Sequence, residues 1–520
     1  RHEVSGRAAF TALGDLWLID DDDEIVRLTN DADIDTDPGF AGDGNWLVFA
    51  SDRDGDADLW RLSLITGQLL QLTNDPGTAF SPRVAPDGRH VAFLESEGPA
   101  AQEAVTLKLV DIERAFTTEP IDSGLYTPDG LEWQGSFLRV NARDRSADRA
   151  YAHVYDIDAI DSPDERPVSP PQEPPALADE PTLRWQPPTA DAPYVIQAGR
   201  FFDGIGTDYV RHVDIHIEGR RIVDVVRRNR LPLPDRVIDA TESTVIPGMI
   251  DVHTHLSAAS DADVGRQWLR YGVTTVRDVA EDWRLAAERA EIWASGIRPG
   301  PRLVISPPAG TDTIALPRGS PLAQSPGGSI FDGMSHALAD QIARDGAGAD
   351  NLPVPVAGGS SDTTRWFGVS TLGHSYGDVL ARLRASGAYL ATGLGALEAT
   401  RSDARARGLA RSYERVMRSS GRVAVGSDAP AVPYGAGFHD ELFRLAALGI
   451  PNDQILRLAT AGGAIALGIS LETGTLEAGR LADLVVIDGD PLLDIENLAD
   501  IEAVVAGGIW HDIDSLLAER

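Results

Sequence analysis

The run Val245-Ile246-Pro247-Gly248-Met249-Ile250-Asp251-Val252-His253-Thr254-His255-Leu256 ends an apolar stretch in two histidines spaced two residues apart. On a strand, positions i and i+2 lie on one face, because side chains alternate with period 2. Two imidazoles aimed the same way at the C-terminal end of a strand can form half of a metal site. That end is also where (β/α) barrels carry their chemistry. His253 and His255 are therefore the first residues to examine for metal-assisted hydrolysis, in which a cation-activated water attacks a carbonyl.

Elements able to position such a pair surround it. Residues 248–471 alternate short apolar runs with helical stretches, which predicts parallel βα units. The expected strands are Ile246–Val252, Thr274–Asp278, Arg302–Ser306, Val354–Gly358, Val369–Gly373, Ala388–Thr392 and Val423–Ser427. On one side, residues 194–247 alternate as a small antiparallel sheet with a Glu218-Gly219-Arg220 turn. On the other, residues 472–520 hold a matching strand-rich block through Leu484-Val485-Val486-Ile487 and Ala503-Val504-Val505.

The first 156 residues repeat internally. Leu28-Thr29-Asn30-Asp31 recurs as Leu72-Thr73-Asn74-Asp75, 44 residues later. Ala41-Gly42-Asp43-Gly44 recurs as Ala85-Pro86-Asp87-Gly88 and again as Thr127-Pro128-Asp129-Gly130. Each Asp-Gly is a turn signal preceding an apolar strand. A period near 44 with several strands per unit is a β-propeller signature. About three units are legible where closed propellers usually have four to eight blades. Either the array stays open, or a second copy of the chain completes it in a homo-oligomer, or part has been lost. Residues 157–193, rich in proline and acids, are expected to be an extended linker.

Composition narrows the partners. The 520 residues carry 46 Lys plus Arg against 80 Asp plus Glu, a net charge of −34. Such a surface argues against nucleic acid and anionic membrane as partners. The chain contains no cysteine, so any metal must be held by nitrogen and oxygen. No apolar run is long enough to span a bilayer. The sequence starts at Arg1 with no signal-like segment, which is expected of a processed or trimmed product and leaves a cytoplasmic and a secreted or periplasmic location both open.

Four segments together resemble the amidohydrolase superfamily, in its imidazolonepropionase and prolidase-like branch, preceded by a TolB-type propeller region. They are Val245–Leu256, Gly272-Val273-Thr274-Thr275-Val276-Arg277-Asp278, Gly421-Arg422-Val423-Ala424-Val425-Gly426-Ser427-Asp428-Ala429-Pro430, and Leu476-Glu477-Ala478-Gly479-Arg480-Leu481-Ala482-Asp483-Leu484-Val485-Val486. The resemblance implies a multidomain chain: propeller-like blades, then a TIM-like α/β barrel with a β-sandwich formed by its flanks. It implies that His253 and His255 are the strand-one metal ligands, His374 the strand-six histidine, and Asp428 the strand-eight aspartate that touches metal and moves a proton. Catalysis would then fall to Asp428 and His374, the latter as ligand or as polariser of a substrate carbonyl. His439, beyond strand eight among glycines, is read equally as a substrate contact or as a helix N-terminal residue.

Two family positions depart from the pattern. The only lysine, Lys108, lies in the propeller region, so no carboxylated lysine can bridge two metals at strand four. The strand-five histidine position falls on Gly359, and roughly one βα unit of about 20–25 residues is missing before it. The expectation is one divalent cation, zinc by its ordinary three-ligand arrangement. It would serve hydrolysis of an amide, a cyclic amide or a small peptide-like C–N bond. A mononuclear deaminase and a degenerate non-catalytic homologue with a binding or assembly role remain the alternatives.

Overall fold

The computed structural model describes residues 6–20, 22, 24–41, 44–96, 105–116, 118–143, 150–156, 164–167, 185–256, 264–278, 283–305, 330–332, 389–395 and 423–517. The chain forms two compact units, one essentially Arg1–Gln186 and the other Pro187–Leu256 with Asp263–Glu519.

The first unit is built of antiparallel meanders. A three-stranded sheet (Ala8–Ala12, Asp15–Ile19, Ile25–Arg27) precedes a four-stranded one (Asp35–Ala41, Trp46–Asp54, Asp56–Ser63, Leu69–Gln71). The sequence repeat is a repeated hydrogen bond. Leu16 N donates to Thr29 Oγ1 at 2.8 Å, and its counterpart Leu59 N donates to Thr73 Oγ1 at 2.9 Å. The Leu-Thr pairs therefore recur because each threonine ties the exit of one strand back to the strand before it. Apolar faces pack in layers, with Leu47 and Phe49 facing Leu16 and Leu62, and Val48 and Ala50 facing Val91 and Phe93. This is the alternation expected of a sheet buried on both faces.

One expected turn is absent. Ala85–Gly88 turns as predicted, with Gly88 N donating to the Ala85 carbonyl at 2.9 Å. Thr127–Gly130 does not: it lies inside one long strand, Thr118–Gln134, within a seven-stranded sheet. Register shifts on either side of Asp129 absorb it as irregularities opposite Phe137–Arg143. A proline without a donor and a glycine without a side chain fit a bulge as well as a turn, and pairing on both sides decided the outcome. The same sheet ends in Asp164–Pro167, paired with Ala150–Asp156, so part of the stretch expected as unpaired linker is a strand.

In the second unit both flanks enter one seven-stranded sheet. Its order is Arg221–Arg227, Val210–Glu218, Tyr194–Phe201, Arg236–Pro247, Leu484–Ile487, Ile501–Ala506, Ile509–Asp512. Thr244–Pro247 pairs antiparallel with Leu484–Ile487, joining segments far apart in sequence. Ile196, Ile215, Ile217, Val245 and Val505 build its core.

Strand Arg236–Pro247 passes through Gly248 directly into Met249–Thr254. A Cβ at Gly248 would lie 2.1 Å from Thr274 Oγ1, so only glycine permits this approach. Met249–Thr254 runs parallel to Val273–Asp278, which runs parallel to Arg302–Ile305. A second parallel set joins Ile330–Asp332, Tyr389–Ala391 and Val423–Ala424. The sets meet where Val252 N donates to the Val425 carbonyl at 2.9 Å and Thr254 bridges Ala429 in parallel sense. The earliest strand of these two parallel sets thus lies beside the last. Met249–Thr254 and Val273–Asp278 are buried at every position, as expected of parallel strands covered on both faces. Helices Val264–Arg270 and Trp283–Ser295 follow the first two strands. The expected strands Val354–Gly358 and Val369–Gly373, and the missing βα unit, lie outside the described residues. Among the described residues, no helix is long and apolar enough to cross a membrane.

Candidate metal centre

The first parallel strand delivers His253 at its C-terminal end and His255 just past it. Their register against Val273–Asp278 shifts between Asp251 and Thr254, where three residues on the histidine strand span two on the neighbour. Such an irregularity re-aims side chains locally. The last parallel strand delivers Asp428 four residues after its end. Asp428 N donates to the His253 carbonyl at 2.9 Å, and His255 N donates to the Ala429 carbonyl at 2.7 Å. The backbones carrying the three side chains are therefore laced directly together. Asp428 has φ 63°, a left-handed conformation that aspartate tolerates better than most residues.

The three side chains converge. His253 Nε2 lies 3.1 Å from His255 Nε2, and the two nitrogens lie 3.2 and 3.3 Å from Asp428 Oδ1. Among the described residues this is the one group of three or more ligand-bearing side chains within metal-binding reach. Three lone-pair-bearing atoms so placed repel one another unless a proton or a cation lies among them. Their separations also suit a small divalent ion: ligands about 2.0–2.1 Å from tetrahedral zinc lie roughly 3.3 Å apart. Asp428 Oδ1 is buried and, apart from the two imidazole nitrogens beside it, has no polar partner among the described residues. Burial would raise the Asp428 carboxyl, but the adjacent His253 and His255 imidazoles outweigh it and hold the carboxyl far below the usual range. His253 and Asp428 are sealed, whereas a quarter of the His255 side chain is exposed, leaving one side of the trio reachable.

Two buried carboxyls that sequence reasoning missed support the trio. Asp251 Oδ1 accepts from Ser427 N at 3.0 Å and His253 N at 3.2 Å, and Asp251 Oδ2 accepts from Ser427 Oγ at 2.6 Å. Burial pushes the Asp251 carboxyl up to about 6 against these donors. Asp278 closes the neighbouring strand, and its Oδ1 accepts from Leu256 N at 3.1 Å. Asp251 precedes His253 by two residues, and that spacing was the available signal. Asp278 carried a signal only as the last residue of Val273–Asp278.

The structure does not bring His439 to the trio. It sits in helix Ala436–Ala447, buried, with Nε2 2.8 Å from the Tyr271 carbonyl and its ring edge-on to Tyr271 and Phe443. It lies in the first turn of that helix. His374 lies outside the described residues.

The model of the amidohydrolase family matches residues 381–510. Among curated proteins, the Tol-Pal system protein TolB of Francisella tularensis subsp. tularensis (strain WY96-3418) is 32% identical over 78 residues, 15% of this chain and 18% of TolB. The chain thus spans under a fifth of the length of that relative. Among solved structures, the chain is similar to a Xaa-Pro dipeptidase with bound methionine in the active site (17% identity, TM-score 0.44, 62% of this chain and 100% of that one). It is also similar to A. niger ochratoxinase (19%, TM-score 0.45, 62% and 96%) and to molinate hydrolase (17%, TM-score 0.45, 64% and 96%). Residues 381–510, with Asp428 among them, match the amidohydrolase family model, and the N-terminal region resembles part of TolB.

Proposed function

We propose that this chain is a metal-dependent amidohydrolase that cleaves an amide, a cyclic amide or a small peptide-like C–N bond in a small-molecule substrate. The convergence of His253 Nε2, His255 Nε2 and Asp428 Oδ1 within 4.8 Å carries the reading. The family match over the segment that holds Asp428 supports it. The parallel strands are read as part of a (β/α) barrel, with the trio at their C-terminal ends.

The two imidazoles and Asp428 would hold one divalent cation, most simply zinc. Such a cation supplies Lewis acidity and makes water acidic enough to deprotonate near neutral pH. The chain's own residues do the rest. Asp428, a carboxylate beside the cation, would be the group that takes the proton from the attacking water. His253 and His255 keep fixed places because their backbones are tied to Ala429 and Asp428. The buried surroundings of His253 and Asp428 exclude bulk water from one side, and the exposed part of His255 marks where substrate would approach.

The test is metal analysis of the full chain, paired with a panel of dipeptides, lactams and aminated heterocycles. About one zinc per chain, lost together with hydrolysis on chelation and absent from His253→Ala, is the expected result. Ammonia release from a heterocycle would assign the deaminase chemistry instead. A folded chain that neither holds nor takes up metal would leave the non-catalytic reading.

A further inference from the structure

Asp278 is buried to 1% exposure and stands outside the trio. Its Oδ1 accepts from Leu256 N at 3.1 Å, while its Oδ2 has no hydrogen-bond partner among the described residues. Its neighbour Arg277 grips the same strand. Arg277 Nη1 donates to the Val252 carbonyl at 3.0 Å, and the Arg277 carbonyl accepts from Thr254 Oγ1 at 3.4 Å. The end of the second parallel strand thus holds the histidine strand at residues 252, 254 and 256. The alternating residues, 253 and 255, are the ones whose side chains carry the ligand nitrogens.

We infer that Asp278 is a positioning residue of the metal centre: its carboxylate fixes the chain leaving His255 and supplies a second negative charge beside the cation. This rests on the metal-centre reading above. Two physical arguments lead to it. A buried carboxyl with an unsatisfied oxygen is unfavourable and calls for a reason to be there. A divalent ion held by two neutral imidazoles and one carboxylate keeps a net positive charge in a buried site, which a second carboxylate would balance. Burial raises the Asp278 carboxyl to about 7, and the His255 ring is the largest influence acting in the other direction, ahead of the Leu256 amide, Arg277 and the His253 ring. Groups that orient metal ligands from behind typically change affinity by about 10–100-fold when removed.

The test is Asp278→Asn in the full chain, read by zinc competition titration and by the visible spectrum of the cobalt-substituted protein. Asparagine keeps an oxygen acceptor for Leu256 N and removes the charge. Because burial already disfavours that charge, the variant should fold, which its urea midpoint checks; Asp278→Ser is the second variant should the amide fit poorly. The expected result is a zinc affinity lowered about 10–100-fold with a shifted cobalt spectrum. Wild-type affinity and an unchanged spectrum in the folded variants would overturn the inference while leaving the metal centre intact. Loss of binding in His253→Ala, measured alongside, separates the two: if the wild-type chain binds neither metal, it is the metal-centre reading that has failed, and this inference with it.

Discussion

Gly426 lies against His253 so closely that a Cβ on the glycine would sit 2.6 Å from the His253 Cβ, with the Thr392 carbonyl oxygen 3.3 Å away on another side. A contact of 2.6 Å between Cβ atoms does not occur, so a side chain at 426 must displace His253 or the strand that carries it. Gly426→Ala is therefore expected to destabilise the chain by about 1–3 kcal/mol, the usual cost of overpacking a filled core. A 1 Å misplacement at a reacting centre can cost about 100-fold, so metal affinity or hydrolysis should fall more steeply than stability. Urea unfolding paired with zinc titration checks the split. Unchanged zinc affinity in a destabilised variant would show that His253 need not hold its present place.

The link between Asp251 and Ser427 makes a second prediction. Ser427 Oγ donates to Asp251 Oδ2 and accepts from Ala429 N at 3.1 Å, so one hydroxyl connects the histidine strand to the segment carrying Asp428. Ser427→Ala leaves a buried carboxylate oxygen and a buried N–H unpaired. Each orphaned buried group costs about 1–3 kcal/mol, so the urea midpoint should drop clearly. Asp251→Asn should behave similarly, because an amide places a donor where a donor already points. A midpoint unchanged in both variants would mean that the two segments are aligned by other contacts.

Asp428 combines a left-handed backbone with an oxygen proposed as a metal ligand, and substitutions can separate the two. Asparagine tolerates φ 63° about as well as aspartate, so Asp428→Asn should fold normally while losing the anionic ligand. Asp428→Ala adds a conformational penalty of roughly 1–2 kcal/mol. The difference between the two urea midpoints reports backbone strain, and hydrolysis should fall by about 100-fold or more in both, the typical share of a general base. Asp428→Asn with wild-type turnover would remove Asp428 from the chemistry.

How far the sequence alone reaches is visible in these same residues. His253 and His255 were legible because strand periodicity is local: an apolar run and a spacing of two suffice to place both rings on one side. The 44-residue repeat was legible for a similar reason, since its threonines bond to strands of the sheet they leave. Gly426, Asp251 and Asp278 work through contacts with residues far away in the chain, and neither composition nor periodicity reports what a distant strand will bring. The Thr127–Gly130 segment shows the same limit from the other side. Its residues favour a turn locally, and pairing with Phe137–Arg143 kept it in a strand. His439 could be read as a substrate contact or a helix N-terminal residue because its packing against Tyr271 joins segments far apart in the chain.

Helix Ala436–Ala447 carries two buried titratable groups with opposite pH signatures. Burial pushes the Glu441 carboxyl from 4.5 up to about 7, even though the Leu394 and Gly395 amides and the Thr392 hydroxyl favour its charged form. Burial pushes the His439 imidazole from 6.5 down to about 4, against the Tyr271 carbonyl that favours its protonation. Glu441, raised in the fold, contributes stability that is full below about pH 4.5 and is lost as pH rises through about 7. His439, lowered in the fold, contributes stability present above about pH 6.5 and lost as pH falls through about 4. Across the shared window the two slopes oppose each other. Glu441→Gln keeps an acceptor for Gly395 N and removes the first slope, so its stability should rise with pH between about 4.5 and 6.5 more steeply than the wild type's. His439→Gln removes the second slope, and its stability should fall with rising pH over the same range. Urea midpoints measured across the window decide the matter. Parallel pH profiles for the wild type and both variants would mean that neither group titrates inside the folded chain as its burial requires.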